Sequence, residues 1–221
     1  MKIILGLLIL IYASFLDLKY REIDDKSWIS LVFLGFVFLV IDYTRGSTDI
    51  LIPFALSAGF SLAIVAVLYY AGIMGSGDCK ILFGISVLVP QPLHFSIFPI
   101  FSLGVFTNAI ILSVMIPFFF FIYNVRRLKE VRSIREFLAL FLGYKRKGHH
   151  IRAYEVAMEG EEGIKLFLST KDVELGKRLS TSREIWVSPA IPFVVMITAG
   201  FLISVLFGDF ISYAYVMWSG I

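Results

Sequence analysis

Gly75-Ser76-Gly77-Asp78-Cys79-Lys80 sets a carboxylate between a glycine pair and the apolar segment Ile81 to Val89, in a chain that otherwise keeps charge out of its apolar runs. An ionisable side chain at the edge of a bilayer is costly to keep, which makes it a functional candidate for which a partner should be named. The comparable residue is Asp17, which closes the apolar run Ile3 to Leu16 and is followed by Leu18-Lys19-Tyr20-Arg21-Glu22-Ile23. That these runs belong in a membrane follows from composition. With 58% hydrophobic and 17% charged residues over 221 positions, the chain carries more apolar side chains than a soluble core of this size needs. The runs approach the roughly 20 residues of a spanning helix and are too continuous for the alternation of an outer-membrane barrel. The expected fold is an all-α polytopic membrane protein of about six transmembrane helices, with a small α+β cytosolic insertion between helices five and six.

Outward from the motif, the chain divides into residues 1–125 (helices one to five), 126–187 (a polar insertion) and 188–221 (helix six and a tail). Met1-Lys2 with Ile3 to Phe15 also has the outline of a secretory signal peptide. Its removal would discard Asp17 or leave it at a bare terminus, and further spans follow, so a retained first helix fits better. The second run, Trp28 to Ile41, is short for a span and would rely on interfacial anchors or local thinning. A polar turn from Asp42 to Asp49 leads to Ile50 to Ile73, long enough to cross, with Pro53 in its first turn where a missing N–H matters little. The helix after the motif is too short for an ordinary span before Pro90 and Pro92, so its neighbours must shield it. Phe95 to Tyr123 makes the fifth segment and Pro189 to Phe207 the sixth, after which Tyr213, Tyr215 and Trp218 suit an interface.

The insertion holds 14 of the 20 Lys and Arg residues. Ile134 to Tyr144 reads as an amphipathic helix fit for a membrane surface. His150 to Ala157 and Ile164 to Ser169 alternate around Glu159-Gly160-Glu161-Glu162-Gly163, a hairpin signal. His149 and His150 read as exposed loop residues rather than metal ligands, since adjacent positions project differently and no third ligand is evident. Cys79, the one cysteine, reads as a small apolar filler. Neither a metal nor another cofactor is expected, and Lys145-Arg146-Lys147 reads as a flank near anionic lipid, with no nucleic-acid partner.

Six crossings put Lys19 to Lys26, Ser76 to Lys80 and the insertion on one face, with both termini opposite. That face carries 18 Lys and Arg residues, and the other only Lys2 and Arg45, which makes the first face cytosolic. Asp17 closes helix one and Asp78 opens helix four, so two full crossings between them bring both to the cytosolic end. If the carboxyls meet in a poorly solvated site, both cannot comfortably ionise and they share one proton. The ionised member can then activate a water against a peptide carbonyl while the protonated member donates to its oxygen. Gly75 and Gly77 would admit a close backbone approach. The plainer reading is an interhelical turn with interfacial carboxylates paired to Lys19 or Lys80.

Gly-x-Gly-Asp at Gly75 to Asp78, with a second Asp closing an earlier helix, resembles the GxGD-type membrane aspartyl proteases. Asp17 to Ile23 taken with Gly75 to Lys80 is similar to the type IV prepilin peptidase family, on its archaeal preflagellin peptidase side. Pro189-Ala190-Ile191-Pro192 is similar to the Pro-Ala-Leu element of the presenilin branch. The resemblance implies Asp17 and Asp78 as catalytic residues, Gly75 and Gly77 as motif backbone, and removal of a short basic leader from preflagellin-like or prepilin-like precursors at the cytosolic membrane edge. Such substrates present Lys or Arg and a Gly before the scissile bond, then a hydrophobic helix. Glu22, Asp24 and Asp25 suit that basic leader or merely balance the loop's charge, and no substrate-binding residue is assigned. The cysteine-rich domain and N-methylation of bacterial members are not expected. Of other classes, a small cation or proton transporter using the same carboxylates stands as the main alternative, and a noncatalytic adaptor as a third. No His-Glu-x-x-His or Gly-x-Ser-x-Gly points to zinc or serine chemistry.

Overall fold

The computed structural model describes residues 1–147, 155–160, 163–164, 184–189 and 191–220. It is mostly helical, with a small sheet. The helices are α1 (Lys2–Tyr20), α2 (Asp25–Thr44), α3 (Leu51–Tyr70), α4 (Ser76–Leu88), α5 (Phe101–Asn124), α6 (Ile134–Leu142), α7 (Phe193–Leu206) and α8 (Phe210–Ser219). Among the described residues, four helices are long and apolar enough to cross a membrane: α1, α2, α3 with the 3-10 turn before it, and α5 with the turn after it. A fifth is added if α7 and α8, bent by 43° at their junction, form one span. The chain divides into two compact units, one of residues 1–112 and 192–221, the other of residues 113–191, the division falling within α5.

In the first unit α4 is enclosed by its neighbours. Cys79, Ile81, Leu82, Gly84, Ile85, Ser86, Val87 and Leu88 are all buried, so the helix is covered nearly all round, as a helix without a polar face must be. Its 13 residues make it about 20 Å long. The shielding expected of this short helix comes chiefly from α2 and α3, which lie against it. Contact with α2 depends on two glycines: a Cβ on Gly35 would sit 2.6 Å from the Val87 carbonyl oxygen, and one on Gly84 2.9 Å from the Leu31 Cβ. Small residues at a helix contact let backbones approach, which is the main source of packing attraction where lipid removes the hydrophobic drive. Between α1 and α7, Ser14 Oγ and Thr198 Oγ1 are 2.7 Å apart, and the Thr198 hydroxyl donates to the Leu10 carbonyl at 3.2 Å.

Two helix boundaries differ from the apolar pattern. The second helix is not short, because its 20 residues begin where the Asp24 side chain accepts from the Lys26 N–H, a cap that lets polar Asp25, Lys26 and Ser27 form the first turn. The fifth begins at Phe101 rather than Phe95. The preceding segment is held in irregular backbone instead: the Ile97 N–H donates to Ser212 Oγ at 2.9 Å and the Ser96 hydroxyl to Asp209 Oδ2 at 2.7 Å.

In the second unit the strands are β1 (Tyr144–Lys147), β2 (Glu155–Ala157), β3 (Glu159–Gly160), β4 (Gly163–Ile164) and β5 (Glu184–Pro189). A three-stranded antiparallel sheet has the order β1-β5-β2, and β3 pairs with β4. Within the stretch expected as the turn, Glu159–Gly160 pairs antiparallel with Gly163–Ile164, but Glu155 to Ala157 of the expected first strand pairs instead with Val187 to Pro189. The expected strand residues 150–154 and 165–169, His149 and His150, and Ala190 of the Pro-Ala-Ile-Pro element lie outside the described residues.

Candidate active site

Asp17 and Asp78, 61 positions apart in sequence, line one pocket of about 400 Å³ at the ends of α1 and α4. Each carboxylate lies at a helix N-terminus, where backbone N–H groups lack intrahelical acceptors. Asp17, 8% exposed, accepts at 3.1 Å from the N–H of Val194 in the first turn of α7. Asp78 is the third residue of α4, where a carboxylate suits the N-terminal end of the helix. The two carboxylates are near enough for their charges to act on each other. Arg21 also lines the pocket and acts electrostatically on Asp17.

Gly75 and Gly77 line the pocket as well, and the reason for glycine there is spatial. Gly75 has φ −67° and ψ 151°, open to any residue. A Cβ on it would stand 3.1 Å from Asp78 Oδ2, and one on Gly77 2.7 Å from Ile23 Cδ1. The positive φ that turns the chain towards the motif belongs to Gly72, at 67°. On the other side of the pocket, Arg21 ends α1 at φ 58° with its N–H on the Asp17 carbonyl.

Neither lysine of the plainer reading pairs with its neighbouring carboxylate. Lys80 Nζ lies 2.6 Å from Asp25 Oδ1, which also accepts from the Trp28 indole N–H at 2.9 Å. Lys19 Nζ lies over the rings of Phe15 and Tyr20. Cys79 is buried, its thiol directed at the Val65 carbonyl. Sequence reasoning passed over Arg21, Trp28 and the Val194 N–H. For Trp28 the signal is its position three residues after Asp25, one turn along the helix. The Val194 contact spans 177 positions and leaves no local trace. Among the described residues, no group of three His, Cys, Asp or Glu side chains is placed to hold a metal ion.

Comparison with known proteins bears on most of the chain. Residues 4–126 match the Type IV leader peptidase family, and residues 115–210 match the Archaeal Peptidase A24 C-terminus Type II. The chain is 32% identical over 222 residues to a preflagellin peptidase of Methanocaldococcus jannaschii, covering 93% of each. It is 30% identical over 225 residues to a preflagellin peptidase of Methanococcus maripaludis, covering 93% of this chain and 94% of that one. A preflagellin peptidase of Methanococcus voltae is 29% identical over 222 residues, with 93% and 94% covered.

Proposed function

The chain belongs to the type IV leader peptidase family, and from that premise we propose that it is an aspartic endopeptidase removing the short basic leader of preflagellin-like or prepilin-like precursors. The observation that carries the reading is the shared pocket of Asp17 and Asp78. The names of its relatives direct it to preflagellin first.

In this mechanism the two carboxyls hold one proton between them. The ionised member takes a proton from a water whose oxygen bonds to the scissile carbonyl carbon, and the protonated member donates to the carbonyl oxygen. The tetrahedral adduct then collapses with cleavage of the C–N bond: the carboxyl that took the water's proton passes it to the departing amine, and the other takes one back from an adduct hydroxyl. Leader acid and trimmed amine are the products, and the dyad regains its shared proton. Because one carboxyl must be ionised and the other not, cleavage passes through a maximum with pH, and its two limbs belong to the pair rather than to either residue.

The proposed topology has six crossings, with α4 as the short fourth and α7 with α8 as a broken sixth. Both termini lie outside, and the pocket faces the cytosol of a plasma-membrane protein. The 18 to 2 distribution of Lys and Arg supports this orientation. Residues 126–187 form a cytosolic insertion that guides substrate. They separate the catalytic helices of residues 1–125 from the last span and tail of residues 188–221. The test is co-expression with a panel of precursors. A leader-sized mobility shift that disappears with Asp17→Asn and with Asp78→Asn is the expected result, and a shift that persists in either variant overturns the dyad assignment.

A further inference from the structure

Helix α6 carries its apolar residues on the outside as well as the inside. Ser133 caps it by accepting from the Glu136 N–H. Ala139 and Leu140, fully buried, pack with Met158 and Trp186. Phe141 stacks on Phe121 of α5 at 4.5 Å between ring centroids. Asn124, at the end of α5, donates to the Leu140 and Gly143 carbonyls at 3.0 and 2.7 Å. With these contacts made, Ile134, Leu138 and Leu142 remain 73%, 40% and 37% exposed. Their spacing of four sets them in one stripe along the helix, where a helix facing water would carry polar residues.

The bilayer is the natural cover for this stripe. The stretch Phe101–Glu130 is long and apolar enough to cross a membrane, and α6 starts at Ile134, so the helix follows directly on that candidate span. Phe118, Phe119, Ile122 and Tyr123 at the end of α5 are also more than half exposed, which extends the apolar surface from span to α6. Around it the charge is basic. Arg126, Lys129, Arg132 and Arg135 are exposed, and no described ion pair engages them. Nearby Glu130 is held by Lys145 at 2.8 Å, and Glu136 accepts from the Arg132 N–H.

We propose that α6 is an interfacial helix. Ile134, Leu138 and Leu142 enter the acyl region of the leaflet, and Arg126, Lys129, Arg132 and Arg135 lie against anionic lipid headgroups. The helix thereby ties the polar unit to the membrane surface beside the end of α5. Apolar side chains and basic residues acting together are what such anchoring requires, since each alone gives weak binding. This placement does not depend on the peptidase reading.

The experiment uses the full chain in a Cys79→Ser background, reconstituted in vesicles of phosphatidylcholine with or without phosphatidylglycerol. An environment-sensitive fluorophore is attached at Leu138→Cys or Ile134→Cys, with Lys147→Cys as the reference. At 138 and 134 the expected result is blue-shifted emission, severalfold stronger quenching by acyl-brominated lipid than at 147, and weaker quenching by aqueous iodide. Replacing the four basic residues with Gln should move both probes towards water in the anionic vesicles. Iodide quenching at 138 and 134 equal to that at 147 overturns the proposal. So does shielding from both quenchers with energy transfer between labelled copies, which would place a second copy on the stripe. Unchanged probe depth in the Gln variant overturns the assignment of anionic lipid.

Discussion

The Asp17 carboxylate accepts a hydrogen bond from the Val194 N–H at 3.1 Å, fastening the end of α1 to the first turn of α7. A carboxylate proposed to carry a proton thus also satisfies a backbone donor that would otherwise be buried without an acceptor. Asp17→Asn keeps an oxygen that can accept from Val194, so the folded chain should survive it while precursor cleavage is lost. Asp17→Leu removes the acceptor and should lower stability by about 1–3 kcal/mol, the usual penalty for a stranded buried donor. Thermal unfolding in detergent beside a mobility-shift assay separates the two effects. Equal stability of the Asn and Leu variants would mean that the bond carries no weight.

Asp78→Asn should also abolish cleavage, and Asp78→Glu should come close to doing so, because one added methylene displaces a group that must lie within hydrogen-bonding reach of a single water. Folding should tolerate Asp78→Asn, since the amide has the shape of the carboxylate and an uncharged group is cheaper to keep in a poorly solvated pocket. A folded Asp78→Glu variant that trims precursor at the parent rate would remove the case for a closely positioned dyad.

Packing of α2 on α4 predicts opposite responses from two helical glycines. Gly35→Ala drives a methyl to 2.6 Å from the Val87 carbonyl oxygen, whereas nothing lies within 4 Å of a Cβ on Gly59. The first should destabilise by about 1–3 kcal/mol, the range for overpacking. The second should be neutral or stabilise by up to about 1 kcal/mol through helix propensity. Unfolding midpoints of the two variants decide the matter, and a Gly35→Ala protein as stable as its parent would show that the helices are not held at this distance.

Much of this arrangement can be read from residues that obey one-dimensional rules. Counting crossings brings Asp17 and Asp78 to the same end of the helices, and the length of the run between Gly77 and Pro90 makes α4 short. What escaped depends on distant partners. The need for glycine at 77 comes from Ile23. The pairing of Glu155 to Ala157 with β5 joins strands whose local alternation says nothing of which strand they meet. The second helix ran past its apolar stretch because a cap at Asp24 and exposed polar turns continue it, and a hydropathy window sees neither.

Orientation can be checked by thiol labelling in a Cys79→Ser background. Gly46, at the turn between α2 and α3, has φ 92° and would strain under a cysteine, so Ser47 next to it is the better site. For the face proposed to be cytosolic, Lys147 is exposed, whereas Arg146 is tied to Glu155 at 3.2 Å. Ser47→Cys should react with an impermeant reagent from outside intact cells, and Lys147→Cys only after permeabilisation. The reverse pattern would invert the proposed topology.

The acidic residues of the pocket differ in what already holds them, and this predicts which one senses a basic leader. Asp25 is taken up by Lys80 at 2.6 Å and by Trp28. Glu22 lines the same pocket and is exposed, and no described ion pair engages it. Glu22→Lys should therefore slow cleavage of a Lys- or Arg-bearing leader by about tenfold, equivalent to roughly 1.4 kcal/mol. It should do so more than Asp25→Asn does, since Asp25 is already engaged by Lys80 and Trp28 rather than open to a leader. A precursor with its leader lysine changed to Glu should be cut poorly by the parent and better by Glu22→Lys. Charge swapping separates recognition from a general defect, because a merely damaged enzyme loses both substrates alike. Should Glu22→Lys cut the two precursors in the same ratio as the parent, Glu22 does not read the leader's charge.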